Sequence, residues 1–233
     1  MKDRTFKSII GSDNPLETAR VLLAPYNMQR LNDKISACNL CDNNCKKNLS
    51  VGNPNADILI ISDYATDIQE YKNLFNEILS YSSLDKNDIF FTQAVNCICK
   101  RNDGNNRLPS YTELKNCKQY TDYAIEFVKP KVIISMGATA LNQFTPDHVN
   151  ILENIDKTTY YKGIYTLITY SVRDIFNFAK INEPTEDKID EIIKTFEKAK
   201  NYVNSKEWIY DILHNGNEWH RKDDYSTWSI KKD

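Results

Sequence analysis

Three near-continuous apolar runs constrain this chain more than any other feature: ADILIIS at 56–62, DIFFTQAV at 88–95 and KVIISM at 131–136. A strand that is apolar at almost every position must bury both faces. That happens where parallel strands are covered by helices on each side. A fourth segment, YTLITY at 165–170, has strand character as well. Helical patterns lie between the runs. Residues 68–80 place Leu74, Ile78 and Leu79 along one face, and Ser110 with Glu113 forms a capping box for a helix that must stop before Pro130. Gly137 opens a short helix over ATALNQF, and Pro184 and Thr185 begin another with Ile189, Ile192, Ile193, Phe196 and Val203 on one side. The alternation predicts an α/β fold, a three-layer α/β/α sandwich around a central, mostly parallel four-stranded sheet. Residues 1–204 make up this domain, and 205–233 form a C-terminal extension.

At 233 residues the chain is long enough to bury one sizeable core. A net charge of −2 argues against a wholly basic nucleic-acid coat protein while allowing a local basic patch. No stretch reaches the roughly 20 apolar residues of a membrane span. The start, MKDRTFKSII, lacks the apolar segment and cleavage site of a secretory signal. The expectation is a cytoplasmic protein with no membrane partner. In a reducing compartment its six cysteines are ligands or buried thiols rather than disulfides. There is no internal repeat and no low-complexity tract.

The cysteines fall into two groups. Cys38 and Cys41 form a C-x2-C hook with Cys45 close behind, while Cys97 and Cys99 follow the second strand and Cys117 lies in the capped helix. Two groups brought together by the fold supply four thiolates to one centre, and thiolates are soft ligands suited to zinc or an iron–sulfur cluster. The alternative is several buried free thiols.

Several motifs in one order carry a resemblance. CNLCDNNCKKNLSVGNPNADILIIS, LDKNDIFFTQAVNC, NRLPSYTELKNC and VKPKVIISMGATAL together resemble the family-four, iron–sulfur uracil-DNA glycosylases over about residues 35–175. The resemblance implies a [4Fe–4S] cluster held by Cys38, Cys41, Cys97 and Cys117, with Cys99 a rival to Cys97 and zinc the alternative metal. Cys45 has no counterpart in that set.

Uracil excision needs a pocket for a flipped base and a means of stabilising the departing anion. The chain departs from the family at each such feature. The family's Gly-Glu-Ala-Pro-Gly turn, whose acidic residue serves the attacking water, is here Ser62-Asp63-Tyr64-Ala65-Thr66. The Gly- and Phe-containing loop that stacks on uracil is shortened, and after the turn no Phe occurs until Phe75, which the resemblance already places in a helix. The base-reading Asn becomes Gln93. The His-Pro-Ser motif becomes Ser171-Val172-Arg173, and the three histidines, His148, His214 and His220, lie elsewhere. Losing one transition-state donor costs on the order of 10²–10³ in rate. The departures predict a closed base cavity, with Asp63, Gln93 and Ser171 as vestiges. Asp63 itself reads as a solvated turn residue or a helix cap, against a catalytic role.

Between 96 and 118, Lys100, Arg101, Arg107, Lys115 and Lys118 face only Asp103 and Glu113. This surface reads either as a DNA contact, through Lys100, Arg101, Arg107 and Lys115, or as an ordinary solvated face. Trp208, Trp219 and Trp228 all lie in the extension, interleaved with tyrosines, and read as a partner-docking surface or as a wrap back onto the domain. The combined expectation is a non-catalytic, glycosylase-like iron–sulfur protein that binds DNA or a protein partner. The resemblance adds a role in phage replication or transcription, with a viral polymerase as one partner and the host cytoplasm as the setting. The alternative is an active DNA glycosylase excising uracil or another base with Asp63 and Gln93.

Overall fold

The computed structural model describes residues 15–41, 45–145 and 149–205. Its elements run α1 (Pro15–Ser36), β1 (Val51–Gly52), β2 (Ile58–Tyr64), α2 (Gln69–Tyr81), β3 (Ile89–Val95), α3 (Tyr111–Val128), β4 (Val132–Met136) and α4 (Ala138–Phe144). A single 3₁₀ turn (Ile151–Glu153) then leads to β5 (Thr158–Tyr161), β6 (Ile164–Thr169), α5 (Val172–Lys180) and α6 (Glu186–Ser205).

The strands form one sheet in the order β1-β3-β2-β4-β6-β5. Its four inner strands are parallel and in register: Ile60 lies opposite Phe91 on one side and Ile134 on the other, and Ile134 lies opposite Leu167. These are the four strands the apolar runs predict. The sheet nevertheless has six strands, because an antiparallel strand closes each edge. Both edge strands escape a search for apolar runs. β1 is two residues long, and β5, TTYY, buries only alternate side chains. Lys162 and Gly163, both with positive φ, make the tight turn from β5 into β6.

Alternate residues of the inner strands feed two cores. Leu59, Ile61, Phe90 and Ile133 pack with Leu31 and Ile35 of α1, Ala124 and Val128 of α3 and Phe144 of α4. Ile58, Ile60, Val132 and Ile134 pack with Ile78 of α2, Ile175 of α5 and Phe196 and Ala199 of α6. Helices on both faces confirm the three layers. The capping box is present at α3: Ser110 accepts from Glu113 N, Glu113 reciprocates, and the helix ends at a left-handed Lys129 ahead of Pro130.

Two helices have no counterpart in the sequence reading. α1 buries Ala24, Leu31 and Ile35 but leaves Leu16, Leu22, Leu23 and Tyr26 exposed, so its apolar residues ring the helix and no clean stripe shows. It is tied to α3 where Arg20 Nη1 donates to Val128 O at 2.8 Å. α5 is short and begins at Ser171, which caps it with Asp174 in a second capping box. No described helix is long and apolar enough to cross a membrane.

Phe90 is fully buried and sits edge-on to Phe127 at 5.4 Å between ring centres. Phe90→Ala should lower stability by about 3–5 kcal/mol, read from urea midpoints. Leu22→Ala, at a side chain 55% exposed, should change it by no more than about 0.5 kcal/mol.

Candidate functional site

Chain order reverses at β2, which has β3 on one flank and β4 on the other. Ligands of open α/β sheets bind outside the carboxyl ends of strands at such a switch point. Asp63 lies there. Strand β2 continues through Tyr64, and Asp63, Tyr64, Ala65 and Thr66 are all buried, so the segment is not a solvated turn. Of the readings the sequence leaves open for Asp63, the cap is the one formed: Oδ1 accepts from Thr139 N at 2.9 Å, in the first turn of α4. Gly137 before that helix has a φ of +89°, and a β-carbon there would overlap the Asp63 carboxylate.

Ser171, the cap of α5, lies beside Asp63. Its hydroxyl donates to Asp174 Oδ2 at 2.9 Å and accepts from Asp174 N at 3.2 Å. Burial, then the charge of Asp174, pushes the Asp63 pKa up to about 6, while Ser171, Thr139 and Arg173 oppose the rise. Burial likewise raises that of Asp174.

Arg173 closes over this group. Its guanidinium lies 3.6 Å from the centre of the Tyr64 ring and 5.2 Å from that of Tyr71, and Nη2 donates to Tyr64 O at 3.3 Å. Burial pushes the Tyr64 phenol up to about 12, so the ring stays neutral. Beside this stack a cleft of about 600 Å³ remains, with Tyr64, Tyr71, Phe75, Phe91, Gln93 and Arg173 among its walls. The cavity is therefore altered rather than closed, correcting the expectation from the shortened loop. Phe75 does lie in α2, as the resemblance has it, but its ring still reaches the cleft, 5.0 Å from that of Phe91. The Gln93 Oε1 is buried there without a hydrogen-bond partner. Lys72 and Lys86 also line the cleft, with no ion pair among the described residues.

The fold brings the cysteine groups together. Residues 46–48 pair antiparallel with 96–98, Lys47 standing opposite Cys97. Cys45 is a near neighbour of Cys97, and Tyr120 of Cys38. Asn116 Nδ2 donates to Cys41 Sγ at 3.4 Å. Cys117, buried, feels the charges of Cys41, Cys38 and Cys45, and burial pushes its pKa up to about 12. Cys99 is oriented differently: its thiol donates to Cys97 O at 3.6 Å. All six are free thiols. Among the described residues no three Cys, His, Asp or Glu side chains converge as the shell of a single metal ion.

The basic residues separate. Lys100, Arg101 and Lys115 are exposed, Lys100 lying 3.5 Å from Asp67. Arg107 is not available to phosphate. Both its terminal nitrogens donate to Glu113 at 2.7 Å, and Nε donates to Lys100 O at 3.1 Å, so it staples the loop to the start of α3. Trp208, Trp219 and Trp228 lie outside the described residues. The sequence reading missed Tyr71, Lys72, Lys86 and the stacking role of Arg173. Tyr71 and Phe75, four residues apart on α2, were a legible signal; the position of Arg173 over Tyr64, 109 residues away, was not.

A family profile described as the uracil DNA glycosylase superfamily matches residues 49–197. The chain is similar to the type-4 uracil-DNA glycosylase of Thermotoga maritima, 26% identical over 129 residues, 50% of this chain and 65% of the relative. That of Archaeoglobus fulgidus is 27% identical over 128 residues, 48% of this chain and 62% of the relative. That of Saccharolobus solfataricus is 24% identical over 200 residues, 77% and 88% respectively. The matches to the first two span less than two thirds of those proteins. With a profile match over more than half its length and the three-layer fold around the switch-point cleft, this chain belongs to the uracil DNA glycosylase superfamily.

Proposed function

We propose that this protein is a non-catalytic, glycosylase-like module that carries a [4Fe–4S] cluster and binds DNA, a replication or transcription protein, or both. The observation that carries this reading is the engagement of Asp63. A residue that activates water must present a carboxylate to that water in the site. Here the group is buried and accepts from Thr139 N in the first turn of α4. Arg173 covers the adjoining Tyr64.

The thiols support the cluster. Cys38, Cys41, Cys97 and Cys117 come from three separate segments and meet on one side of the core, with only sulfur donors among them. Burial penalises the thiolates of Cys97 and Cys117, a penalty that bonding to iron offsets. Among the described residues no tight single-ion shell forms, which leaves zinc with less support than a cluster, several iron atoms wide. Between Cys97 and Cys99, the orientation of Cys99 toward a backbone carbonyl favours Cys97. A bound cluster would tie the hook to the 96–98 segment and α3, holding the exposed Lys100, Arg101 and Lys115 on one rigid surface. The setting consistent with free thiols is the cytoplasm, that of the host if the chain is viral.

One observation favours the second reading, an active glycosylase of altered base preference: the cleft remains open beside Gln93, whose Oε1 lacks a partner. A single-turnover assay on uracil-containing single- and double-stranded DNA separates the two. The expected result is no free uracil above the level of Asp63→Asn; release that this substitution abolishes would establish the second reading. DNA binding should persist in the same preparations. Replacing Lys100, Arg101 and Lys115 together by Ala should reduce the slope of log affinity against log salt by about 3. An unchanged slope would remove this surface from the interface.

The state of Asp63 has a pH signature. Its carboxyl titrates near the ordinary 3.8 in the unfolded chain and near 6 in the fold. Between those values the fold holds the proton more tightly, so the contribution of Asp63 to stability falls as pH rises through the window. Asparagine at this position does not titrate. Asp63→Asn should therefore gain stability relative to the wild type between about pH 4 and about pH 7, measured from urea midpoints; a difference that does not change with pH would show a solvated carboxylate.

A further inference from the structure

We propose that Cys45 is a fifth thiol of the metal centre, standing beside Cys97 as an interchangeable ligand to the same iron. This rests on the cluster reading above. The placement is set by backbone: Asn48 N donates to Asn96 O at 2.9 Å, Ile98 N donates to Lys46 O at 3.0 Å, and Lys47 stands opposite Cys97. Side chains alternate across such a ladder, so Cys45, Cys97 and Cys99 share one face, with Cys45 diagonal to Cys97. The Cys45 side chain packs against the core cluster that contains Cys97 and Cys117, and its thiol is among the near neighbours of Cys97. Cys99 shares the face but turns its sulfur to a carbonyl, which leaves Cys45 as the free neighbour.

The physical consequence follows from proximity. A thiol on the same short segment as Cys38 and Cys41, diagonal to a ligand across the ladder, is present at high effective concentration near the iron that ligand holds. When the Cys97–iron bond breaks, the Cys45–iron bond forms; the proton lost by Cys45 is balanced by one taken up at Cys97, and no oxidation state changes. The spare thiol would keep the cluster intact through the loss of one bond that opens the site to chelators and oxidants.

The test uses the full chain reconstituted anaerobically with iron and sulfide, as wild type, Cys97→Ser, Cys45→Ser and the double variant. Iron and sulfide per chain and the electron paramagnetic resonance spectrum are measured. Wild type and both single variants should hold the full complement, while the double variant should be one iron short, with a three-iron signal, or lose the cluster. A Cys97→Ser protein as iron-poor as the double variant overturns the proposal, as does a double variant as iron-rich as the wild type. Wild-type protein without iron overturns the cluster reading and this proposal with it. Should Cys97→Ser fail to fold, Cys45→Ser alone still decides: its cluster should be lost to a chelator about tenfold faster than that of the wild type, and an equal rate overturns the inference.

Discussion

Parallel pairing of β2 with β3 and β4 is the constraint on which the rest of the molecule depends. Strands paired on both edges and apolar on both faces must be covered twice, and the connections that return the chain to start each new parallel strand supply the cover. Reversal of strand order at β2 then leaves a gap between the β2–β3 and β3–β4 connections, at the carboxyl ends of the strands. Asp63 stands in that gap because it is the sixth residue of β2, one before the strand ends. Everything that distinguishes the site concerns what fills the space around it.

What fills it here is the protein itself. In a buried setting a carboxyl group needs hydrogen-bond donors or a proton, and Asp63 has Thr139 N and a raised proton affinity. The close approach of α4 needed for this cap requires Gly137, whose positive φ and missing side chain admit the carboxylate. Arg173 on Tyr64 adds a cation–π contact at the edge of the cleft. These contacts support one another: the cap on α4, the cap on α5 and the stack meet within a few residues. The open cleft beyond them is a feature of the opposite kind, with aromatic walls and an unpaired amide oxygen. Asp63 and Ser171 also stand among its lining residues, and on the proposed reading it is a surface that binds without excising a base.

The cysteine side of the domain is organised by a different device. A short antiparallel ladder between 46–48 and 96–98 joins the hook to the end of β3, and α3 presents Cys117 from the same core. Arg107 and Glu113 hold the intervening loop by a paired, bidentate contact rather than offering a cation to solvent. The loop therefore has a structural interior and an exposed rim of Lys100, Arg101 and Lys115.

By itself the sequence determined the layers, the four parallel strands and the start of α3, because apolar periodicity and a capping box are local patterns that need no partner to be read. The edge strands and α1 were not legible: β1 and β5 are defined by hydrogen bonds to neighbours, and the exposed leucines of α1 obscure its buried side. Only the tertiary structure decided that Arg173 donates to Tyr64 O across more than a hundred residues, that Arg107 belongs to Glu113, and that Cys45 lies diagonal to Cys97. Each of those is a choice among possible partners for a polar group. Such a choice is settled by which groups share a buried space once the sheet has formed, a quantity that residue order alone does not contain.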